Sequence, residues 1–311
     1  MAKIVFMGTP DFAVPTLQAL IDHHQVIGVV TQPDRPAGRG GTVRMSPIKR
    51  IALKHNIPIF QPEKLRRKEA IEELKQWQPD VYVVAAFGQI LPQTVLDIPT
   101  HGSLNVHASL LPRWRGAAPI HAAIRAGDDM AGVTIMKMDA GLDTGPMLLK
   151  GAIPIEADET GQSLHDKLAE IGAKMLLEAL PSYLSGELQA EPQPEEGVTH
   201  APQLKKEEGE IDWSQDAASI ERLVRAFTPW PGTYTTFRGK QLKIHVGENG
   251  AGNLKAGEVA KVDERVAIGT GDGVFFPLEV QLSGKKRTNI ASFVNGYSDF
   301  IGTTLASENS S

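Results

Sequence analysis

The stretch Asp80–Ala86, DVYVVAA, decides how the first half of this chain is read. Its apolar residues follow one another without alternation. That pattern is what a strand buried on both faces requires. Working outward, Lys3–Gly8 (KIVFMG) repeats it and ends at a glycine, and Val26–Val30 and Ile57–Phe60 are shorter examples. Ser103–His107 and Val133–Met138 follow downstream. Helical patterns lie between. Asp11 sits where an N-cap belongs, before Phe12, Leu17, Leu20 and Ile21. Ile51–His55 reads as helical and Lys64–Trp77 as a charged amphipathic helix, while Leu164, Leu168, Ile171, Met175 and Ala179 recur at the spacing of one long helix. Strands alternating with helices predict an α/β fold, a mostly parallel sheet covered on both faces. Ligands of such sheets sit beyond the carboxyl ends of the strands. Gly8, Phe87–Gly88 and Asn105–His107 lie at such ends.

The texture changes near Ala190. AEPQPEEGVTHAPQLKKEEGE is rich in Pro, Glu and Lys and reads as a linker. Beyond it, Asp212–Phe227 predicts one amphipathic helix. Five short strands then recur between Gly-rich turns: Thr233–Phe237, Gln241–Val246, Gly257–Val262, Val266–Gly269 and Val274–Gln281. They predict a small antiparallel barrel. The expected division is a catalytic domain at 1–189, a linker at 190–208 and a C-terminal domain at 209–311, with the final SENSS disordered.

The composition narrows the chemistry. The 311 residues include no cysteine, which removes disulfides, thiolate metal sites and a cysteine nucleophile. An apolar fraction of 41% with 22% charged residues is that of a globular protein. No apolar run approaches the roughly 18 residues that span a bilayer, and MAKIVFMGTP is too short an apolar stretch for a signal peptide. A soluble, cytoplasmic protein is expected.

Gly8-Thr9-Pro10 lacks the second and third glycines of a dinucleotide fingerprint, and no GxxxxGK[ST] is present. A tight turn feeding a helix is the simpler reading. The nine histidines show no metal-ligand spacing, so no metal is expected. His107 stands apart, because it follows Asn105 by two residues at a strand end. Both side chains then point to one side. Asp143 lies in the loop MDAGLDTGP with Asp139. Asn105 and His107 could be a structural hydrogen-bond pair, and the two aspartates could be turn-formers. Brought to one sheet edge, an amide, an imidazole and a carboxylate could instead orient a nucleophile, donate to an oxyanion and move a proton.

The net charge of −5 suggests no nucleic-acid partner, yet residues 31–68 hold ten basic residues against two acids. Arg35, Arg39, Arg44, Lys49 and Arg50 are among them, within and beside a glycine-rich loop. Arg113 and Arg115 lie just past the candidate site. A charge run is usually a solvated surface; an anionic partner is the sharper reading.

At this point the sequence resembles a known family. NVHASLLPRWRGAAPI (Asn105–Ile120), followed 36 residues after His107 by Asp143 in a Gly-Leu-Asp-Thr-Gly loop, is similar to the signature of folate-dependent formyltransferases. FMGTPDFA at Phe6–Ala13, TQPDRPAGRG at Thr31–Gly40, Ile211-Asp212-Trp213 and PWPGT at Pro229–Thr233 resemble the methionyl-tRNA branch of that superfamily. The likeness spans essentially the whole chain. It implies a Rossmann-like domain, a linker and an OB-like, tRNA-binding barrel. It further implies transfer of a formyl group from 10-formyltetrahydrofolate to methionyl initiator tRNA, with Asn105, His107 and Asp143 catalytic and no metal. By the same resemblance, Phe87, Gly88, Gln89, Ile90 and Leu91, the segment Ser109, Leu110, Leu111 and Pro112, and backbone at Asp139 and Gly141 form the folate pocket. Arg39, Arg44 and Lys49 would meet tRNA. Gly41 and Thr42 stand where the family's pattern has two lysines. A monomer is expected. The alternatives are a formyltransferase of the same fold acting on a small amine, a folate hydrolase and a non-catalytic RNA-binding protein.

Overall fold

The structure is a computed structural model that describes residues 2–37 and 42–305. In chain order its elements are β1 (Lys3–Gly8), α1 (Val14–His23), β2 (Gln25–Val30), β3 (Arg35–Ala37), β4 (Thr42–Arg44), α2 (Pro47–Lys54), β5 (Ile59–Phe60) and α3 (Lys68–Gln76). Next come β6 (Val81–Ala85), α4 (Gln93–Leu96), β7 (Ser103–His107), β8 (Arg115–Gly116), α5 (Pro119–Ala126), β9 (Met130–Lys137), β10 (Met147–Pro154), α6 (Gly161–Ser185) and β11 (His200–Ala201). The remainder forms α7 (Ala217–Ala226), β12 (Thr233–Phe237), β13 (Lys240–Gly250), β14 (Val259–Val262), β15 (Arg265–Gly269), β16 (Val274–Leu282), β17 (Thr288–Asn289) and α8 (Ile290–Gly296). Contacts divide the chain into two units. One takes in residues up to Pro119, Ala131–Ile153 and His165–Ala201; the other takes in Ile120–Met130, Pro154–Leu164 and the chain from Pro202.

The first unit is the expected α/β fold. Its seven strands run in the order β10-β9-β7-β6-β1-β2-β5. The pairs β1–β2, β1–β6, β2–β5 and β6–β7 are parallel, and β7–β9 is antiparallel. From β1 the chain first builds outward through β2 and β5, then crosses back to place β6 and β7 on the other side. That reversal opens a crevice at the carboxyl ends of β1 and β6, where doubly wound sheets bind ligands. β6 and β7 are buried along their full length, which is why their sequences carry unbroken apolar runs. Long helix α6 lies against the sheet through Gly172, where a Cβ would come within 2.6 Å of Val106. Each large side chain buried here contributes about 1.5–3 kcal/mol.

Local differences from the sequence reading have physical causes. Asp11 caps nothing: Asp11–Ala13 forms a 3₁₀ turn, and α1 starts at Val14 with a proline in its first turn, where the missing N–H is no loss. The helix expected from Lys64 begins at Lys68, because Leu65 is drawn into the core and its N–H donates to Gln89 Oε1 at 3.0 Å. Strand β10 and helix α5 were not anticipated.

The second unit holds the expected antiparallel β domain. Its sheet runs β12-β13-β16-β15-β14, with β17 added on β16. Register shifts near Val246 bend the long β13–β16 pair, the coiling a small barrel needs. Trp213, Phe237, Phe275, Phe293 and Phe300 fill its core. Helix α7 begins at Ala217 rather than Asp212, because Asp216 accepts from the Ser219 N–H at 2.8 Å and caps it.

At the switch point, a Cβ on Gly8 would lie 2.7 Å from the Phe6 ring, 2.8 Å from Ala13 Cβ and 2.9 Å from the Ala85 carbonyl oxygen. Gly8→Ala is therefore expected to destabilise the protein by about 1–3 kcal/mol through overpacking, read as a lowered urea midpoint.

Candidate active site

Strand β7 carries Asn105 and His107 two residues apart, so both side chains leave the same face. They are 9% and 5% exposed, and burying an amide and an imidazole at that depth is costly unless partners meet them. The loop after β9 supplies the partner. Asp143 Oδ1 accepts from Asn105 Nδ2 at 3.4 Å, and Oδ2 lies 3.6 Å from His107 Nδ1. The Gly116 N–H donates to the same Oδ2 at 2.8 Å. His107 Nε2 lies 3.1 Å from the Trp114 carbonyl oxygen. Both ring nitrogens thus face acceptors, an arrangement that suits a donor at each.

The geometry separates the two aspartates that the sequence offered together. Asp139 forms its own turn, with Oδ1 accepting from the Gly141 N–H at 3.0 Å and the Thr144 hydroxyl at 2.7 Å. Asp143 has a left-handed backbone, φ 52°, a region that Asp visits more readily than most residues. That turn of the chain carries its carboxylate back to β7.

The segments expected to hold folate lie at the same end of the sheet, but their side chains differ in use. Phe87 and Leu91 are 2% and 4% exposed and belong to the core beneath, whereas Ile90 is 84% exposed. Gln89 pins its loop to a neighbour, donating to the Pro62 carbonyl at 2.9 Å as well as accepting from Leu65. Gly88, at φ 80°, takes a conformation that favours glycine, and its carbonyl accepts from Gln32 Nε2 at 2.8 Å. Thr9 holds the Phe87 carbonyl at 2.9 Å. Ser109 donates to the Arg113 carbonyl at 2.7 Å, Leu111 is fully buried, and the Leu110 and Pro112 side chains are partly exposed. The sequence reading did not single out the Gly116 N–H, the Trp114 carbonyl, Thr9 or Gln32. Only the RWRG run, read as part of a motif, pointed toward the first two.

Among the tRNA candidates, Arg44 is exposed on the hairpin β3–β4, directly opposite Arg35. Lys49 instead forms an ion pair with Asp34, which also accepts from Gln61 Nε2 at 3.0 Å. Arg39 lies outside the described residues, as does the expected SENSS tail. Among the described residues no cluster of three or more His, Asp or Glu is arranged to hold a metal. No helix among them is long and apolar enough to cross a membrane.

A switch-point sheet with an amide, an imidazole and a carboxylate gathered at its edge defines a class. Residues 2–180 match the formyl transferase family, and residues 203–298 match the formyl transferase C-terminal domain. The methionyl-tRNA formyltransferase of Marinobacter nauticus is 51% identical over 94% of this chain and 96% of its own length. That of Geobacter sulfurreducens is 48% identical over 97% of this chain and 96% of its own. The chain belongs to the family of these methionyl-tRNA formyltransferases. In fold it also resembles the crystal structure of the sugar 3N-formyltransferase WlaRD, with a TM-score of 0.67 at 18% identity over 92% of this chain and 99% of that one.

The Asp34–Lys49 pair has a pH signature. Hydrogen bonds from Lys49 and Gln61 hold the Asp34 carboxyl below its usual range. A depressed carboxylate stabilises the fold above its unfolded pKa of about 4, and that contribution is lost as pH falls through the folded value. Asp34→Asn is expected to be less stable than the wild type at pH 7, with the gap between their urea midpoints closing below about pH 4.

Proposed function

We propose that this protein transfers the formyl group of 10-formyltetrahydrofolate to the α-amine of methionine on initiator tRNA, giving N-formylmethionyl-tRNA for translation initiation in the cytoplasm. The observation that carries the reading is the convergence of Asn105, His107 and Asp143 at the end of β7. It occurs in a chain about half identical to methionyl-tRNA formyltransferases over nearly its full length. The protein acts as a monomer. Residues 1–189 carry the reacting groups, 190–208 lead from them to the C-terminal domain, and 209–311 bind tRNA.

As the neutral α-amine adds to the formyl carbon, negative charge grows on the formyl oxygen. Asn105 donates to it through the amide hydrogen not turned toward Asp143, and His107, as imidazolium with its ring nitrogens facing Trp114 and Asp143, stabilises it by its positive charge. A single donor so placed is worth about 10²–10³ in rate. Asp143 orients His107 and takes the proton that the amine loses, directly or through one water. A proton returns to the departing folate nitrogen as its bond to the formyl carbon breaks. None of these steps calls on a metal. The main chain at 87–91, 109–112, Asp139 and Gly141, together with exposed Ile90, offers polar edges and an apolar surface suited to a pterin. Arg39, Arg44 and Lys49 would meet the tRNA, Lys49 by exchanging its partner Asp34 for a phosphate. A basic hairpin favours this reading over a small amine, which needs none.

Asp143→Asn should still bind folate and tRNA yet lose at least about 10²-fold in kcat, measured with 10-formyltetrahydrofolate and charged initiator tRNA. Near-wild-type turnover would sink the assignment. The same incubation without tRNA separates transfer from hydrolysis.

Arg39→Ala should weaken tRNA-dependent turnover and flatten its dependence on salt by about one unit of log–log slope. Rates indifferent to both salt and the substitution would remove the phosphate contact.

A further inference from the structure

We propose that Glu191–Ala201 is a strap that sets the geometry of the active site, with Gln193 as the positioning residue that holds Asp143. The inference rests on the role given to Asp143 above.

Composition alone makes this stretch a featureless connector. In the structure it is fastened at both ends. Glu191 and Met147 exchange two backbone hydrogen bonds, of 2.7 and 2.8 Å. The Thr199 hydroxyl accepts from the Trp114 N–H at 2.9 Å, and its carbonyl accepts from the Arg115 N–H at 2.9 Å. His200 and Ala201 then pair in parallel with Arg115 and Gly116. One strap thus grips the loop that carries Asp143 and the segment Trp114–Gly116. Those two pieces of chain hold the trio together: the Trp114 carbonyl faces His107, and the Gly116 N–H meets Asp143.

Gln193 sits between the fastenings with its side-chain amide fully used. Nε2 donates to the carbonyls of Asp143 and Gly145, each at 2.8 Å. Oε1 accepts from Arg115 Nε at 3.0 Å and Nη2 at 2.7 Å. A reversed amide would set its oxygen against two carbonyls and its hydrogens against a guanidinium, so a single orientation is allowed. The two donated bonds fix the peptide planes that follow Asp143 and Gly145. They hold Asp143 in its left-handed conformation and so aim its carboxylate. A backbone rotation there would carry the carboxylate off His107, and displacements near 1 Å cost about 10²-fold when a reacting group is involved. Gly116 completes the fit. Its φ is 119°, and a Cβ would lie 2.6 Å from the Ala201 carbonyl oxygen.

The test compares wild type, Gln193→Ala, Asp143→Asn and the double variant in initial-rate kinetics and thermal melting. Gln193→Ala is expected to lower kcat by at least about tenfold, with KM for both substrates within about twofold and the melting temperature little changed. On the Asp143→Asn background the same substitution should change kcat by less than about twofold, because a residue acting through Asp143 has nothing left to position. Gln193→Glu keeps the acceptor for Arg115 but removes both donors, and should behave like the alanine variant. Full activity of Gln193→Ala, or equal losses on both backgrounds, overturns the strap. An Asp143→Asn protein that turns over normally overturns the underlying reading instead.

Discussion

The carboxylate of Asp143 is the interaction on which the site depends. One oxygen faces the Asn105 amide; the other meets the Gly116 N–H and the His107 ring. Without it, two polar side chains at the end of an otherwise apolar buried strand would lose their common partner, and burying polar groups unpaired is expensive. The strand gives Asn105 and His107 fixed positions, because β7 is paired on both sides. The loop then has to be brought to the strand, and that explains the number of restraints on it. Asp139 closes the turn from within, Gly116 holds the carboxylate from one side, and Gln193 holds the carbonyls from the other.

The strands of the sheet were legible because burial on both faces leaves a mark in every residue. Val81–Ala85 and Ser103–His107 were placed correctly on that basis, and in the latter the two polar residues stood out as interruptions of an apolar run. Strand β10 was not legible. Only parts of MLLKGAIP are buried, and Lys150 and Gly151 break any pattern. Local pattern likewise could not say which aspartate would reach the strand, since Asp139 and Asp143 occupy the same glycine-rich loop; only the family resemblance named Asp143. The difference lies in the backbone angle at 143 and in contacts from residues 27 and 50 positions away. Gln193 carried no local signal at all, because a glutamine among prolines and glutamates looks solvated until its three partner residues are assembled around it.

The segments proposed to hold folate illustrate a different limit. Phe87, Ile90 and Leu91 are the same kind of residue to a hydropathy pattern, yet two of them build the core and one stands in solvent. A loop anchored by buried side chains offers a ligand its main chain and its one free apolar group. The anchoring residues contribute by holding the loop still. Thr9 and Gln32 add to this from neighbouring strand ends, each binding a carbonyl of the Phe87–Gly88 turn. The crevice is therefore shaped by polar clamps on backbone groups as much as by the apolar surface the sequence advertised.

Charge follows the same logic of placement. A net of −5 describes the whole chain, but an approaching polyanion responds to the local field, which a clustered surface concentrates. Within residues 31–68 the structure subtracts some cations from that field: Lys49 is paired with Asp34, and Arg67 with Glu63. It leaves others exposed, including Arg35 and Arg44, which stand opposite each other on the β3–β4 hairpin. Like charges at directly facing positions destabilise a strand pair. Two cations held face to face also raise the local positive potential at that point of the surface. The opening inference from net charge failed for this reason: it summed over a surface of which a nucleic acid meets only one part.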